Sequence, residues 1–308
     1  MDESRELISR IVEEEFSESP SNVNQITGGL MNKTYRVDLQ QKSYVVQLTD
    51  NTEPRELENC LKSFIFLQDK DVPVPKAVTR EIKSINSVNY TVVSFVEGNV
   101  LSRQINSELT RASGRMLAHI HETCSFDKPG WIKWRDDKPV VVGFPGDSLQ
   151  RRLENYMEEK LEYFQENDVD WLAEVVERFL NDYVERTPED FEPVFVHHDY
   201  NPGNILVRNG RIVAVLDFDY SHASHSQRDL VKAMNKFWVK TSASKEDFLE
   251  GYQQVRDVGA GFEQNRALYE LETLIDELKA RLEFVIDTKD ELREYEDEVE
   301  RLESILSG

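Results

Sequence analysis

Cysteine is almost missing from this chain: Cys60 and Cys124 are the two in 308 residues. They show no metal-ligating spacing and are read as reduced core thiols rather than a disulfide. Cations are also short, 37 Lys and Arg against 59 Asp and Glu, for a formal charge of −22. General affinity for nucleic acid or for an anionic membrane needs cationic surface, so neither partner is expected. The acid is spread along the whole chain. It fits a solubility device like that of proteins from salt-loving cells, or an acidic cleft for a cationic substrate, and net charge alone does not separate the two. No apolar run reaches the roughly eighteen residues of a spanning helix. The opening MDESRELISRIVEEEF is acidic and amphipathic, unlike a basic head followed by an apolar stretch. A cytoplasmic protein with no obligate protein partner is expected. There is no internal repeat and no low-complexity segment.

What is present suffices for one large domain or two lobes. Leu7, Ile8, Ile11, Val12 and Phe16 fall at helical spacing and predict an amphipathic helix over 4–16. Residues 25–37 read as strand, glycine turn and strand, and 43–48 as a third strand. A helix over 53–68 is stopped at Val72-Pro73-Val74-Pro75. Residues 87–96 are a long strand or a strand pair, and Glu97-Gly98 ends it. Strands dominate before that point and helices after it. The expectation is therefore an α+β chain, with an N-terminal lobe over 1–97 and a larger, mostly helical lobe over 98–308. Helices are predicted over 109–121, 149–167, 169–186, 226–239, 245–255, 264–286 and 289–306. Residues 127–147, with Pro129-Gly130, Pro139 and Pro145-Gly146 around Trp131 and Trp134, read as an irregular loop, either for substrate or an ordinary surface excursion.

The most informative stretch is VFVHHDYNPGNILVRNGRIVAVLDFDY, residues 194–220. An apolar run stops at His197-His198-Asp199, a loop with Pro202 and Gly203 ends on Asn204, and two apolar runs flank Asn209-Gly210. Asn-Gly is a strong signal for a two-residue hairpin, so 205–207 and 212–216 should pair antiparallel. That pairing carries Asp217 back towards Asn204 and Asp199, gathering two carboxylates and an amide.

The combination His197-x-Asp199-x-x-x-x-Asn204, followed by Leu216-Asp217-Phe218-Asp219, resembles the aminoglycoside phosphotransferase and choline kinase family, relatives of the protein kinases. Asn201-Pro202-Gly203-Asn204-Ile205-Leu206 is especially typical of it. The resemblance extends over nearly the whole chain and implies a bilobal, protein-kinase-like fold. The implied activity is a Mg²⁺-dependent transfer of the γ-phosphoryl group of ATP or GTP to the hydroxyl of a small-molecule substrate. Asp199 is then the base, His197 a loop support, and Asn204 and Asp217 the Mg²⁺ ligands, oxygen donors that suit a hard ion. Gly28, Gly29 and Asn32 would overlie the nucleotide phosphates, and the backbone of Ser94 to Val96 would meet the base.

One departure stands out. The family's third strand carries Lys or Arg to pair with the α and β phosphates, and here Gln47 occupies that place. Lys33 or Arg36 is the alternative cation, and Glu56 or Glu58 the partner acid on the next helix. Gln47 motivates a second reading, a catalytically silent nucleotide-binding or partner-binding module on the same fold. No segment resembles the activation loop and Ala-Pro-Glu anchor of a protein kinase. His222 and His225 are expected to contact solvent or substrate rather than metal. Asp229 is expected to cap a helix or brace a loop. The sequence leaves the acceptor open.

Overall fold

The computed structural model describes residues 3–26, 33–238, 245–285 and 289–307. In chain order it runs α1 (Glu3–Phe16), β1 (Asn22–Ile26), β2 (Lys33–Asp38), β3 (Ser43–Thr49), α2 (Arg55–Leu67), β4 (Lys83–Ile85), β5 (Val88–Ser94) and β6 (Asn99–Val100). Then come α3 (Ser107–His121), β7 (Gly130–Arg135), β8 (Lys138–Gly143), α4 (Leu149–Glu166), α5 (Asp170–Arg178) and β9 (Val194–Val196). The last part holds β10 (Ile205–Arg208), β11 (Arg211–Val215), β12 (His222–Ser224), α6 (Ser226–Trp238), α7 (Lys245–Gln253), α8 (Phe262–Phe284) and α9 (Glu296–Ser307). Two compact units emerge, each assembled from three stretches of chain. Unit 1 takes Met1–Ile105, Lys133–Val140 and Asn201–Ser221, and unit 2 takes Asn106–Ile132, Val141–Tyr200 and His222–Gly308.

Unit 1 is built on a five-stranded sheet in the order β1-β2-β3-β5-β4, antiparallel between all neighbouring strands. Alternation along the strands decides its faces. Tyr35, Val37, Val46, Leu48, Tyr90 and Val92 form a core with Ile8, Ile11 and Val12 of α1. Those three α1 residues are fully buried at i, i+3, i+4 spacing, each contributing about 1.5–3 kcal/mol of apolar burial. A second sheet, β11-β10-β6, carries the predicted hairpin, with Ile205 opposite Val215 and Arg208 opposite Arg211. Asn209 and Gly210 both have positive φ, 53° and 72°, as a tight two-residue hairpin turn requires.

Unit 2 is mainly helical. In its small sheet β12 lies between β9 and β7, pairing His222 with both Val196 and Trp131. All three residues of β9 are buried, which is why this strand reads as a continuous apolar run instead of alternating. Helices α3 and α7 meet at glycines: a Cβ on Gly114 would lie 2.0 Å from the Phe248 carbonyl oxygen, and one on Gly251 2.0 Å from that of Arg111. The helix expected over 169–186 is α5 followed by a π turn, Phe179–Tyr183, and a 3₁₀ turn, Val184–Arg186. The last expected helix begins as a 3₁₀ segment, Lys289–Tyr295, before α9.

The expectation of an irregular 127–147 is corrected. Residues Gly130–Arg135 and Lys138–Gly143 are neighbouring strands joined at Asp136 and Asp137, both with positive φ. Asp-Asp is a weaker turn signal than Asn-Gly, and Pro139 argues against a strand unless it lies at an edge, where β8 sits.

Candidate active site

In unit 2 the chain leaves β9 into His197-His198-Asp199. The N–H groups of His197 and His198 donate to the two carboxylate oxygens of Asp229, at 2.9 and 2.8 Å. Asp229 sits buried in the first turn of α6, and its side chain braces this loop. His121, at the end of α3, places Nε2 3.1 Å from Asp229 Oδ2 and Nδ1 2.7 Å from Tyr252 Oη. Burial lowers the His121 pKa, so the ring is neutral, with Nε2–H donating to Asp229 and Nδ1 accepting from Tyr252. Burial alone would raise the Asp229 carboxyl, but the hydrogen bond from His121 and the amide of His197 outweigh it and hold it below its ordinary value.

The brace is needed because His198 has φ +68°, a left-handed conformation costing roughly 1–2 kcal/mol for an L-residue. The next N–H, that of Asp199, donates to His197 Nδ1 at 3.3 Å. His197 is fully buried, with Tyr200 edge-on to its ring at 5.5 Å. Tyr200 Oη in turn donates to the Ser113 carbonyl at 3.0 Å. His197 and Asp199 are thus held together on one fixed loop.

In unit 1 the Gly203 N–H donates to Asn201 Oδ1 at 2.8 Å, an Asx turn that leads into Asn204. The Leu216 N–H then donates to the Asn204 carbonyl at 2.8 Å, bringing Asn204 and Asp217 to the same end of the hairpin. Asp217 also has a left-handed backbone, φ +63°. Behind it, Phe218 is fully buried edge-on to Phe64 at 6.0 Å. Asn59 of α2 clamps the following turn: its Nδ2 lies within 3.2 Å of the carbonyls of Phe218, Asp219 and Ser221, and its Oδ1 accepts from Trp134 Nε1 at 2.9 Å.

Burial, with the neighbouring charges of Asp217 and Glu56, pushes the Asp219 carboxyl up to about 8. The same burial, with the charges of Asp219 and Asp217, pushes the Cys60 thiol up. Closely placed carboxylates in a partly desolvated place are what a divalent cation relieves. Among the described residues no three His, Cys, Asp or Glu side chains are grouped to hold a metal. The amide and carboxylate oxygens of Asn204 and Asp217 nonetheless fit Mg²⁺, which takes few protein ligands and fills its shell with phosphate oxygens and water.

The remaining residues expected on the nucleotide side divide over the sheet. Register puts Gln47 opposite Thr34 and Thr91, on the face away from α1, with no shift along either ladder. Arg36 shares that face, and its guanidinium is engaged by Asp38 at 2.8 Å and stacked over Phe95 at 4.2 Å. Lys33 lies on the α1 face with Tyr35 and Val37. Glu56 is partly buried and its charge reaches Asp219, while Glu58 is exposed. Ser94 Oγ accepts from Lys76 N–H, the Ser94 amide donates to the Lys76 carbonyl and the Phe95 amide to Ser43. Of the 94–96 amides, only that of Val96 makes no hydrogen bond to a described residue. Gly28, Gly29 and Asn32 lie outside the described residues.

Of the expectation that His222 and His225 contact solvent or substrate rather than metal, the solvent part is corrected: both are buried, because the short strand β12 runs inside its sheet. His222 packs against His198 at 4.8 Å and Trp131 at 5.7 Å, while His225 stacks on Phe191 at 4.5 Å with Nδ1 2.9 Å from Tyr269 Oη. Sequence reading gave no role to Asn59 or His121. Nothing in their local sequence separates them from ordinary helix residues.

A family model for the phosphotransferase enzyme family (APH) matches residues 22–268, and the chain belongs to that family. Among solved structures, a thermostable mutant of aminoglycoside phosphotransferase APH(4)-Ia, in a ternary complex with AMP-PNP and hygromycin B, superposes with a TM-score of 0.67. The identity is 16%, and the match covers 97% of both chains. A mutant aminoglycoside 2′-phosphotransferase-IIIa in complex with GDP gives 0.64 at 16% identity, covering 99% of each chain. A protein encoded in the ileS 3′ region of Staphylococcus aureus is 29% identical over 97 residues, 32% of this chain and 70% of that protein. The structural likenesses are of fold, which is α+β and protein-kinase-like. No described helix is long and apolar enough to cross a membrane.

Proposed function

We propose that the protein is a cytoplasmic small-molecule kinase that transfers the γ-phosphoryl group of ATP or GTP to a substrate hydroxyl. The observation that carries the reading is the Leu216–Asn204 bond, which sets Asn204 beside a left-handed Asp217 on a chain whose phosphotransferase-family match runs through both. In the reaction the bond from the γ-phosphorus to the β–γ bridging oxygen breaks and the bond from the acceptor oxygen forms. The acceptor's proton passes to Asp199, and ADP or GDP leaves. His197 fixes the Asp199 backbone, and Asp229 fixes His197 and His198. Asn204 and Asp217 would hold Mg²⁺, which neutralises phosphate charge when bound. The nucleotide is assigned to the Gln47 face of the sheet, with its base at the Val96 amide and its phosphates under Gly28, Gly29 and Asn32. The AMP-PNP and GDP complexes of structural neighbours support a purine nucleotide as donor.

The test is phosphate transfer from labelled ATP or GTP into a metabolite mixture, read by mass spectrometry. Asp199→Asn should lower turnover by at least about a hundredfold while thermal stabilisation by ATP persists. Retained turnover would remove Asp199 from the role of base. Gln47, a neutral amide where a cation is expected, favours the silent-module reading. Stabilisation by ATP that is indifferent to Mg²⁺, with no nucleotide consumed, would select it.

A further inference from the structure

On a chain with a net charge of −22, unit 2 gathers cations one residue from Asp199. The His198 ring packs on His222, His222 on Trp131, and the Arg152 guanidinium lies over Trp131 at 5.1 Å and over Tyr156 at 4.8 Å. Ser148 caps α4 by accepting from the Arg151 N–H, which sets Arg152 in the first turn of that helix. The other cations here are matched: Arg228 by Glu272 in a buried pair, and Lys160 and Lys232 by Asp276 at 2.8 and 3.3 Å. Arg152 differs. Among the described residues no carboxylate lies within ion-pair distance of it, and it is partly buried. Burial and the nearby charge of Arg228 pull its pKa down, against weaker support from Tyr156, Glu159 and Glu272. A guanidinium between two rings, partly desolvated and with no carboxylate in ion-pair contact, is costly unless a ligand supplies one. Trp131 is 46% exposed, so a flat face remains open beside it.

We infer that the phosphoryl acceptor is a small molecule carrying an anionic group, a carboxylate or a phosphate, which pairs with Arg152 while its apolar or planar part stacks on Trp131. This rests on the reading of Asp199 as the acceptor-side base. It distinguishes the protein from one adapted to polycationic acceptors, because a like charge beside Arg152 is repelled. The guanidinium fork matches both anions bidentately.

A matched set of benzyl alcohols tests it: para-(hydroxymethyl)benzoate, para-(hydroxymethyl)phenyl phosphate, the neutral para-benzenedimethanol and the cationic para-(aminomethyl)benzyl alcohol. Binding is measured by calorimetry without nucleotide, and transfer from ATP is measured separately. At least one anionic probe should bind about tenfold to a hundredfold tighter than the neutral one, with the cationic probe weakest. The stronger of the two anions identifies the class. Arg152→Gln should abolish that preference. Arg152→Glu should reverse it towards the cationic probe. Arg151→Ala, an exposed control one residue away, should leave it intact, all three variants being checked for an unchanged melting temperature. Equal or weaker binding of both anionic probes, or a preference that survives Arg152→Gln, overturns the inference. Anion-selective binding with no transfer to any probe would uphold the site while counting against the kinase reading, so the two fail separately.

Discussion

Asp229 offers the sharpest test of how the His197–Asp199 loop is held. Replacing it with Ala removes the acceptor of two buried donors, the His197 amide at 2.9 Å and His121 Nε2–H at 3.1 Å, and of the part-buried His198 amide at 2.8 Å. An unpaired buried donor costs about 1–3 kcal/mol, and the left-handed His198 loses the bond that compensates its conformation. The lost carboxylate also recovers its own desolvation, so Asp229→Ala should destabilise by about 3–5 kcal/mol rather than by the full sum. At ~2–4 °C per kcal/mol for a domain of this class, melting should fall on the order of 10 °C. Asp229→Asn retains one acceptor oxygen but turns an NH₂ towards the other amide, and should lie between the two. Thermal melting ranks the variants, and hydrogen exchange should show the His197 and His198 amides losing protection first. Melting of Asp229→Ala within about 2 °C of the parent would refute the brace.

Two further outcomes follow from the packing. Burial depresses His225 from 6.5 to about 4, so between those values the unfolded chain holds more protons and stability falls as pH drops from 6.5 towards 4. His225→Gln should flatten that acid-side slope, by roughly 2 kcal/mol between melts at pH 7 and pH 5. An unchanged slope would mean that His225 is not a buried neutral imidazole. Gly114→Ala would drive a methyl into the Phe248 carbonyl where α3 crosses α7, and should cost about 2–3 kcal/mol in urea denaturation. A neutral result would mean that the helices stand farther apart.

How much of this was legible depended on whether local chemistry and tertiary contact agreed. The β10–β11 hairpin was readable because Asn209-Gly210 dictates its own turn and because both flanking runs are apolar. The β7–β8 pair was not: its turn is Asp136-Asp137, its strands alternate with Lys133 and Arg135 on the open side, and Pro139 lies on its edge. His197 and Asp199 were visible as a spacing. Asp229 was visible only as a helix-start acid, since nothing local says that its oxygens reach amides some thirty positions earlier in the chain. The acidic composition said least about local electrostatics. Net charge describes the whole surface, while the charges of Lys232, Arg228 and Arg152 all act on His198, one residue from Asp199.

The threading of the chain carries a consequence for the protein's modularity. Unit 1 is completed by two excursions, 133–140 and 201–221, and each supplies bonds the rest of the unit needs. Trp134 and Asp137 reach Asn59 and Lys62, and the turn after Asp217 is clamped by Asn59. A fragment cut near residue 97 would lack both, so neither half can be moved as a cassette. A chimera built to test the proposed acceptor side would graft α4 and the root of the β7–β8 hairpin in place, leaving the tip of that hairpin and residues 201–221 as they are.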